Sequence, residues 1–225
     1  MRIAEIFHSI QGEGKLAGIP SVFVRVSGCN LRCQWCDTPY ASHHPQGDEL
    51  SLDQIVERVK AYGCRHVVLT GGEPVIMPEV ESLCLRLMES GAHLTIESAG
   101  TVYKPLPANL ISLSPKLSNS APAGPLAEQH EKHRLNVGAL QRFLETSTDL
   151  QMKFVVARPE DLGEVDELLG RLRGWRCDDV LLMPEGKTPE ELAERSQWLI
   201  DACVGRGFRF CARLQVMVWG NRRGV

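Results

Sequence analysis

Short apolar runs alternate with amphipathic stretches along most of the chain. Residues 66–70 (HVVLT) form a continuous apolar run that stops at two glycines, which is typical of a buried strand. Residues 51–63 carry apolar side chains at helical spacing behind Ser51, so they predict a helix with Ser51 as its N-cap. Thr188 and Glu191 form the pattern of a capping box. The same patterns predict seven strands, at 21–26, 66–70, 93–98, 109–114, 151–156, 179–184 and 208–219, and five helices, at 51–63, 77–91, 137–146, 159–173 and 188–207.

Strands that alternate with helices are typical of a parallel sheet with crossover helices. Seven strands are too few for a closed eightfold barrel, so we predict an α/β fold with a parallel sheet in a partial (incomplete) β/α barrel. The length of 225 residues fits a single domain over 1–225. In such folds the chemistry gathers at the carboxyl ends of the strands. Two stretches without periodicity, 37–50 and 115–136, are predicted to be long loops, functional or mobile.

The composition is that of an ordinary globular protein, with 43% hydrophobic and 24% charged residues. A formal net charge of −3 gives no general surface for polyanions, so we expect no nucleic-acid partner. No run of about 18 apolar residues is present, as a membrane-spanning helix would need. The first residues lack the apolar segment of a signal peptide. We therefore expect a cytoplasmic protein with no membrane partner.

Three of the eight cysteines lie in one short stretch, SGCNLRCQWCD. Cys29, Cys33 and Cys36 can converge on one metal centre. A structural zinc site usually takes four ligands in two pairs, and the chain has no second Cys-x-x-Cys pair; His43 or His44 could supply a fourth ligand, so zinc remains an alternative. A 4Fe–4S cubane explains three cysteines better, because each iron takes one outside ligand and the fourth iron stays open.

A second segment, TGGEP at 70–74, closes the predicted strand 66–70. Paired glycines at a strand end allow close backbone approach and leave backbone donors and acceptors free, although such a pair alone is more often a tight turn. The next two predicted strands end at Glu97-Ser98 and at Ser114-Pro115-Lys116. We therefore expect these segments to meet at one edge of the sheet.

The cysteine spacing, with Trp35 and the GGEP segment, closely resembles the radical S-adenosylmethionine superfamily. The resemblance implies that the open iron chelates the amino and carboxylate groups of S-adenosyl-L-methionine. One electron from the cluster then breaks the sulfonium bond, and a 5′-deoxyadenosyl radical abstracts a hydrogen atom. The positions that match the cofactor contacts of this superfamily are Trp35, Cys36, Asp37, Gly72, Glu73, Ser98, Ser114, Pro115 and Lys116.

A narrower resemblance covers nearly the whole chain. Gln11-Gly12-Glu13-Gly14, Arg25, Cys36-Asp37-Thr38 and Ser114-Pro115-Lys116 together resemble the 7-carboxy-7-deazaguanine synthases of queuosine and other deazapurine biosynthesis. These are lyases that convert 6-carboxy-5,6,7,8-tetrahydropterin to 7-carboxy-7-deazaguanine with loss of ammonia. The matching substrate positions are Ile10, Gln11, Gly12, Glu13, Arg25, Thr70, Gln215 and Val225.

The resemblance also implies a Mg²⁺ ion at Thr38, a reductase of the flavodoxin or ferredoxin type, and a homodimer. A single threonine oxygen is a sparse ligand set, but Mg²⁺ usually keeps waters and takes substrate oxygens. We therefore expect Mg²⁺ to bind mainly when the substrate is present. Its ligand Thr38 follows closely after the cluster ligands Cys29, Cys33 and Cys36 in the sequence.

Residue chemistry agrees with several of these roles. The Glu13 carboxylate could accept two hydrogen bonds from the guanidine-like edge of a pterin, and Arg25 could clamp the substrate carboxylate. Without the family, Glu13 reads as part of a turn and Arg25 as a half-buried strand arginine. Gln215 stands where many relatives have histidine, so it can make polar contacts but cannot titrate near neutral pH. The Val225 carboxylate could reach the substrate, although the tail before it could equally be mobile.

His130 and His133 could be mistaken for a metal pair, but their charged surroundings, AEQHEKHRL, predict a solvated helix face. Two other functions stay open. One is an activase that makes a glycyl radical on a partner protein, against which the pterin-type residues Gln11–Gly14 and Thr38 speak. The other is a non-catalytic zinc or electron-transfer module, against which the GGEP segment speaks.

Overall fold

The computed structural model describes residues 1–225 and contains one nine-stranded sheet. The strands are β1 (Arg2–Ile10), β2 (Pro20–Val26), β3 (Asp48–Glu49), β4 (His66–Gly71), β5 (His93–Ser98), β6 (Leu110–Leu113), β7 (Leu150–Val156), β8 (Val180–Pro184) and β9 (Arg209–Phe210). The helices are α1 (Leu52–Lys60), α2 (Val80–Glu89), α3 (Ala127–Arg134), α4 (Val137–Thr146), α5 (Asp161–Arg171), α6 (Pro189–Arg206) and α7 (Leu214–Trp219).

The strand order is β3-β1-β2-β4-β5-β6-β7-β8-β9, without closure into a ring. All neighbours from β2 to β9 pair in parallel, whereas β1 pairs antiparallel with β2 and with β3. The predicted α/β fold with an open, mostly parallel sheet is confirmed. None of the helices combines the length and the apolar composition that a membrane crossing requires.

Side chains of the central strands alternate between two faces. On β7, Met152 and Phe154 pack into the helix-covered core, and Lys153 between them lines a cavity on the other face. The same alternation recurs on the neighbouring parallel strands. The cavity face therefore carries Arg25 of β2, Thr70 of β4, Glu97 of β5 and Lys153 of β7.

Helix ends follow the sequence signals. The Ser51 hydroxyl accepts the N–H of Gln54, and the Ser51 N–H donates in return to the Gln54 side chain, which completes a capping box at α1. Thr188 and Glu191 form the second capping box at α6, as predicted. Gly207 ends α6 with φ 69°, a left-handed conformation that glycine adopts without steric cost.

Three sequence predictions are wrong in their boundaries or type. The predicted strand 208–219 is only the two-residue β9 followed by helix α7, so its apolar run belongs to two elements. Residues 115–136 are not a plain loop but contain α3, whose polar sequence hides the helical pattern. Strand β1 has no counterpart among the predicted strands, because its sequence RIAEIFHSI has adjacent apolar pairs and no regular alternation.

Candidate active site

A cavity of about 290 Å³ lies at the carboxyl ends of the parallel strands. All but two of the predicted site residues line it. Glu73 and Pro115 are the exceptions. The lining residues among the predicted ones are Ile10, Gln11, Gly12, Glu13, Arg25, Cys29, Cys33, Trp35, Cys36, Asp37, Thr38, Thr70, Gly72, Ser98, Ser114, Lys116, Gln215 and Val225.

The cysteine loop (residues 27–37) brings its three thiols to one side of this cavity. No group of three His, Cys, Asp or Glu side chains is arranged to hold a single metal ion. Three thiols on one wall of the cavity suit a cubane, in which each cysteine binds a different iron.

Burial raises the pKa of the Cys29 thiol to about 12 and that of Cys33 to about 11. Both groups are therefore neutral thiols near neutral pH when only protein surrounds them. Because metal binding requires the thiolate, the positive charge that stabilises it would come from the iron itself. The loop is chemically suited to a cluster and poorly suited to free thiolate chemistry.

A collar (residues 117–134) holds the cysteine loop from outside. The Gln34 N–H donates to the Ser120 carbonyl at 2.9 Å, and Trp35 Nε1 donates to the Asn119 carbonyl at 3.0 Å. Asn119 Nδ2 in turn donates to the Asp161 carboxylate at 2.7 Å. The stretch predicted as a loop thus fixes the orientation of the cysteine loop.

The predicted solvated position of His130 is wrong: this side chain is only 2% exposed. Its Nδ1 accepts the Arg32 N–H at 3.1 Å, and its Nε2 lies 3.0 Å from the Ser120 hydroxyl. Accepting at Nδ1 places the ring proton on Nε2, so the imidazole is neutral. His130 is a second clasp between the collar and the cysteine loop, whereas His133 bonds only within its own helix.

The GGEP segment docks directly on the start of the cysteine loop. The Glu73 N–H donates to the Gly28 carbonyl at 2.8 Å, and a side chain at Gly72 would lie only 2.0 Å from the same oxygen. Gly72 is thus required by close backbone approach. The buried Glu73 carboxylate accepts the N–H groups of Val75 and Ala99, so it braces the segment and does not reach the cavity.

Lys116 lies beside the cysteine loop on the cavity wall. Its Nζ donates to the Ser114 hydroxyl at 2.7 Å and lies 5.5 Å from the centre of the Trp35 ring. Thr38 directly follows the cysteine loop, and its Oγ1 lies 3.8 Å from the Cys36 sulfur. The predicted cofactor residues and the predicted Mg²⁺ residue are therefore neighbours.

The opposite side of the cavity holds a carboxylate network (Glu13, Glu97, Lys153, Arg213 and Gln215). Glu13 Oε1 accepts from Gln215 Nε2 at 2.8 Å and from Arg213 Nε at 3.1 Å, while its Oε2 accepts from Lys153 at 2.8 Å. Burial alone would raise the pKa of Glu13, but the charges of Lys153 and Arg213 hold it well below its usual range. Glu13 is ionised and serves only as an acceptor.

Arg213 joins this network to the cluster side. Its Nη2 donates to the Asp37 carboxylate at 2.6 Å, its Nη1 donates to the Gly186 carbonyl, and its Nε binds Glu13. The side chain is 8% exposed, and every nitrogen has an acceptor. Burial by itself would lower the pKa of Arg213, but Glu13 and Asp37 raise it, so the guanidinium stays charged.

Arg25 is held on one side and open on the other. Its Nε donates to Glu5 at 2.7 Å, and its terminal nitrogens, which line the cavity wall, have no hydrogen-bond partner in the protein. Glu5 also accepts from the Tyr40 hydroxyl at 2.7 Å and from Arg223 at 3.0 Å. The tail is therefore attached to β1 through Arg223, which brings Val225 to the cavity.

Comparison with known proteins decides the family. The sequence profile of the Radical SAM superfamily matches residues 23–122. A 7-carboxy-7-deazaguanine synthase of Rhodopirellula baltica is 43% identical over 99% of this chain and 88% of the relative. Another, of Halobacterium salinarum, is 42% identical over 97% of this chain and 90% of the relative. The chain belongs to the 7-carboxy-7-deazaguanine synthase family.

Structure agrees with that assignment. The crystal structure of QueE from Escherichia coli matches with a TM-score of 0.70 and 26% identity, covering 93% of this chain and 92% of that one. Membership in the 7-carboxy-7-deazaguanine synthase family confirms the predicted radical lyase of deazapurine biosynthesis and implies a 4Fe–4S cluster with S-adenosylmethionine. It favours the lyase over the activase and over the zinc or electron-transfer module. The individual residue roles stay predictions.

Two charged members of the carboxylate network were missed from the sequence. Lys153 lies inside the predicted strand 151–156, where a lysine among apolar residues is itself an unusual signal. Arg213 was hidden in the predicted strand 208–219, which the structure corrects. In this chain, both cations contact Glu13, the residue that the family resemblance assigns to the pterin.

Proposed function

We propose that this chain converts 6-carboxy-5,6,7,8-tetrahydropterin to 7-carboxy-7-deazaguanine with loss of ammonia. The supporting observation is that one cavity joins three cluster-type cysteines to an ionised acceptor, Glu13, and to an arginine, Arg25, with unpartnered nitrogens. A pterin carries both a donor edge and, in this substrate, a carboxylate. Each feature of the molecule therefore has a complementary group on the wall.

When bound, the cluster and S-adenosylmethionine supply the one-electron chemistry that removes a hydrogen atom from the substrate. Cys29, Cys33 and Cys36 would hold the cluster. The side chains on the opposite wall bind and orient the ring. Arg25 takes the substrate carboxylate through its free nitrogens, while Glu5 fixes its direction. Glu13 is largely shielded, with a side chain 14% exposed, and this limits competition from water for its oxygens.

We propose further that Thr38 contributes one oxygen to a Mg²⁺ ion in the presence of substrate. The support is that Thr38 lines the cavity and that its Oγ1 lies 3.8 Å from the Cys36 sulfur. Mg²⁺ would complete its coordination with waters and substrate oxygens and orient the ring for rearrangement. Turnover that persists unchanged after Mg²⁺ removal by a chelator would contradict this role.

The family also leads us to propose a cytoplasmic homodimer that receives electrons from a flavodoxin or ferredoxin. Light scattering on the purified protein tests the dimer. Turnover with each purified reductant in place of dithionite tests the electron donor.

An anaerobic assay tests the function itself. Reconstituted protein is incubated with reductant, S-adenosylmethionine, Mg²⁺ and the carboxytetrahydropterin, and both products are followed by chromatography. We expect 7-carboxy-7-deazaguanine together with deoxyadenosine. Deoxyadenosine without the deazaguanine would retain the radical enzyme and discard the substrate. Neither product, from protein that contains zinc and no iron, would refute the proposal as a whole.

A further inference from the structure

Lys153 occupies an unusual position on the cavity wall. It is 4% exposed, comes from the middle of β7, and places its ammonium between two carboxylates. The Nζ atom lies 2.8 Å from Glu13 Oε2 and 3.1 Å from Glu97 Oε1. Neutralising a single acid would require neither the contact with a second carboxylate nor a position on the cavity wall.

Counting donors shows what the ammonium has left. An ammonium has three N–H donors. Two are directed at Glu13 and Glu97, and the protein provides no third acceptor. Because Lys153 lines the cavity, its remaining donor is available to a bound molecule.

Counting acceptors gives a similar result for the two carboxylates. Each has about four lone-pair positions. Glu13 uses three, for Lys153, Arg213 and Gln215. Glu97 also uses three of its positions. It accepts hydrogen bonds from Lys153, from the Thr70 hydroxyl at 3.0 Å and, more weakly, from Gln11 at 3.4 Å. One acceptor position remains on each acid, and one donor remains on Lys153.

A pterin ring presents the complementary edge: two donors, the 2-amino group and N3–H, beside one acceptor, the 4-oxo oxygen. An ionised, correctly oriented acid is the stronger acceptor for these donors, and the ammonium favours both conditions. The oxygen next to the donors requires a donor from the wall. Lys153 contacts both Glu13 and Glu97, so its third N–H lies beside the two acceptors, whereas Arg213 contacts only Glu13 of the two and directs its other nitrogens to Gly186 and Asp37.

We propose that Lys153 is a substrate-recognition residue, which holds Glu13 and Glu97 as hydrogen-bond acceptors and donates its third N–H to the 4-oxo oxygen of the pterin. This inference rests on the proposed function, because it presupposes a pterin. To that function it adds a residue that recognises the 4-oxo oxygen of the ring through a hydrogen bond. A site that donates to this oxygen should reject a ring in which the acceptor is weakened.

The test compares two ligands, the carboxytetrahydropterin and its 4-thioxo analogue, which keeps both ring donors but offers a weaker sulfur acceptor. Dissociation constants are measured anaerobically on the reconstituted enzyme with S-adenosylmethionine. We expect the wild type to favour the oxo ligand by at least about fivefold. A wild type that binds both ligands equally would overturn the inference without any variant.

The variant Lys153→Met then assigns the preference to this residue. We expect its oxo-to-thioxo ratio to fall to within about twofold of unity, with a higher KM for the oxo substrate. Lys104→Met is the matched control, since Lys104 is half-buried and donates to the Met77 carbonyl away from the cavity; it should keep the wild-type ratio. An unchanged ratio in Lys153→Met would overturn the inference.

Failure of the proposed function has a different signature. The wild type would then cleave S-adenosylmethionine while binding neither pterin ligand, and the inference would be overturned together with the function. Binding of the oxo ligand without any preference overturns the inference alone.

Discussion

The cysteine loop and the carboxylate network line the same cavity but are built differently along the chain. The three cysteines lie within eight consecutive residues and converge because their own loop turns. Glu13, by contrast, meets Lys153 across 140 residues and Gln215 across 202 residues. The proposed cluster ligands thus lie in one short contiguous motif, whereas the proposed substrate-binding residues come together only in the assembled sheet.

The largest expected effect breaks the local side of this comparison. We expect Cys33→Ala to lose the cluster and with it turnover, because one of the three protein ligands is missing. Iron content, the electron paramagnetic resonance of the reduced protein and deoxyadenosine formation measure this. Cys203→Ala, which removes a buried thiol of the core, should keep the cluster. Full activity in Cys33→Ala would refute the cluster assignment.

The next effect breaks the long-range side. We expect Arg213→Met to lower the free energy of unfolding by about 1.5–3 kcal/mol, because Glu13 loses one of its two cations and keeps Lys153. Denaturant unfolding of cluster-free protein measures this. Arg206→Met is the control: Arg206 pairs with Asp166 at the surface, and its loss should cost less than about 1 kcal/mol. Equal losses in the two variants would show that the network contributes no more than a surface pair.

A smaller effect separates the two sides functionally. We expect Glu13→Gln to raise the KM for the pterin by about 10–100-fold, since an amide accepts weaker hydrogen bonds than a carboxylate. Cleavage of S-adenosylmethionine without substrate should continue at the wild-type rate, because the cysteine loop is untouched. The two rates are measured side by side on one preparation. Unchanged pterin affinity would remove Glu13 from the substrate site.

The smallest effect concerns the collar. Burial, followed by the charge of Arg134, lowers the pKa of His130, so the folded protein favours the neutral ring. The unfolded chain binds this proton below about pH 6.5, and stability therefore decreases as the pH falls through that range. The melting temperature of cluster-free wild type should therefore fall between pH 7.5 and 5.5. We expect the fall in His130→Gln to be about 2 °C smaller than in the wild type.

The exposed His133 supplies the control for this experiment. His133→Gln should follow the wild-type pH dependence, because His133 bonds only to the Gln129 carbonyl in its own helix. Identical pH profiles for His130→Gln and the wild type would show that the clasp does not depend on a neutral imidazole.

The same contrast explains how far the sequence could predict this molecule. The parallel sheet follows from contiguous patterns, and its prediction is confirmed. The cysteine loop and the GGEP segment are contiguous patterns as well, and the structure brings the two together. The acceptors around Lys153 depend on which strands become neighbours, and sequence spacing does not encode this directly. Strand β1 and helix α3 were missed for another reason: tertiary contacts stabilise them despite weak periodicity of their own. The burial of His130 has the same cause, because tertiary contacts bury this side chain although its neighbours in the sequence are polar.

The 202 residues that separate Glu13 from Gln215 also have a consequence during protein synthesis. At about 5–20 residues per second, the ribosome needs roughly 10–40 s after making Glu13 to make its last partner. The three cysteines have emerged long before then, next to a sheet that is still incomplete. The ligands for the cluster are thus synthesised well before the substrate site can be complete.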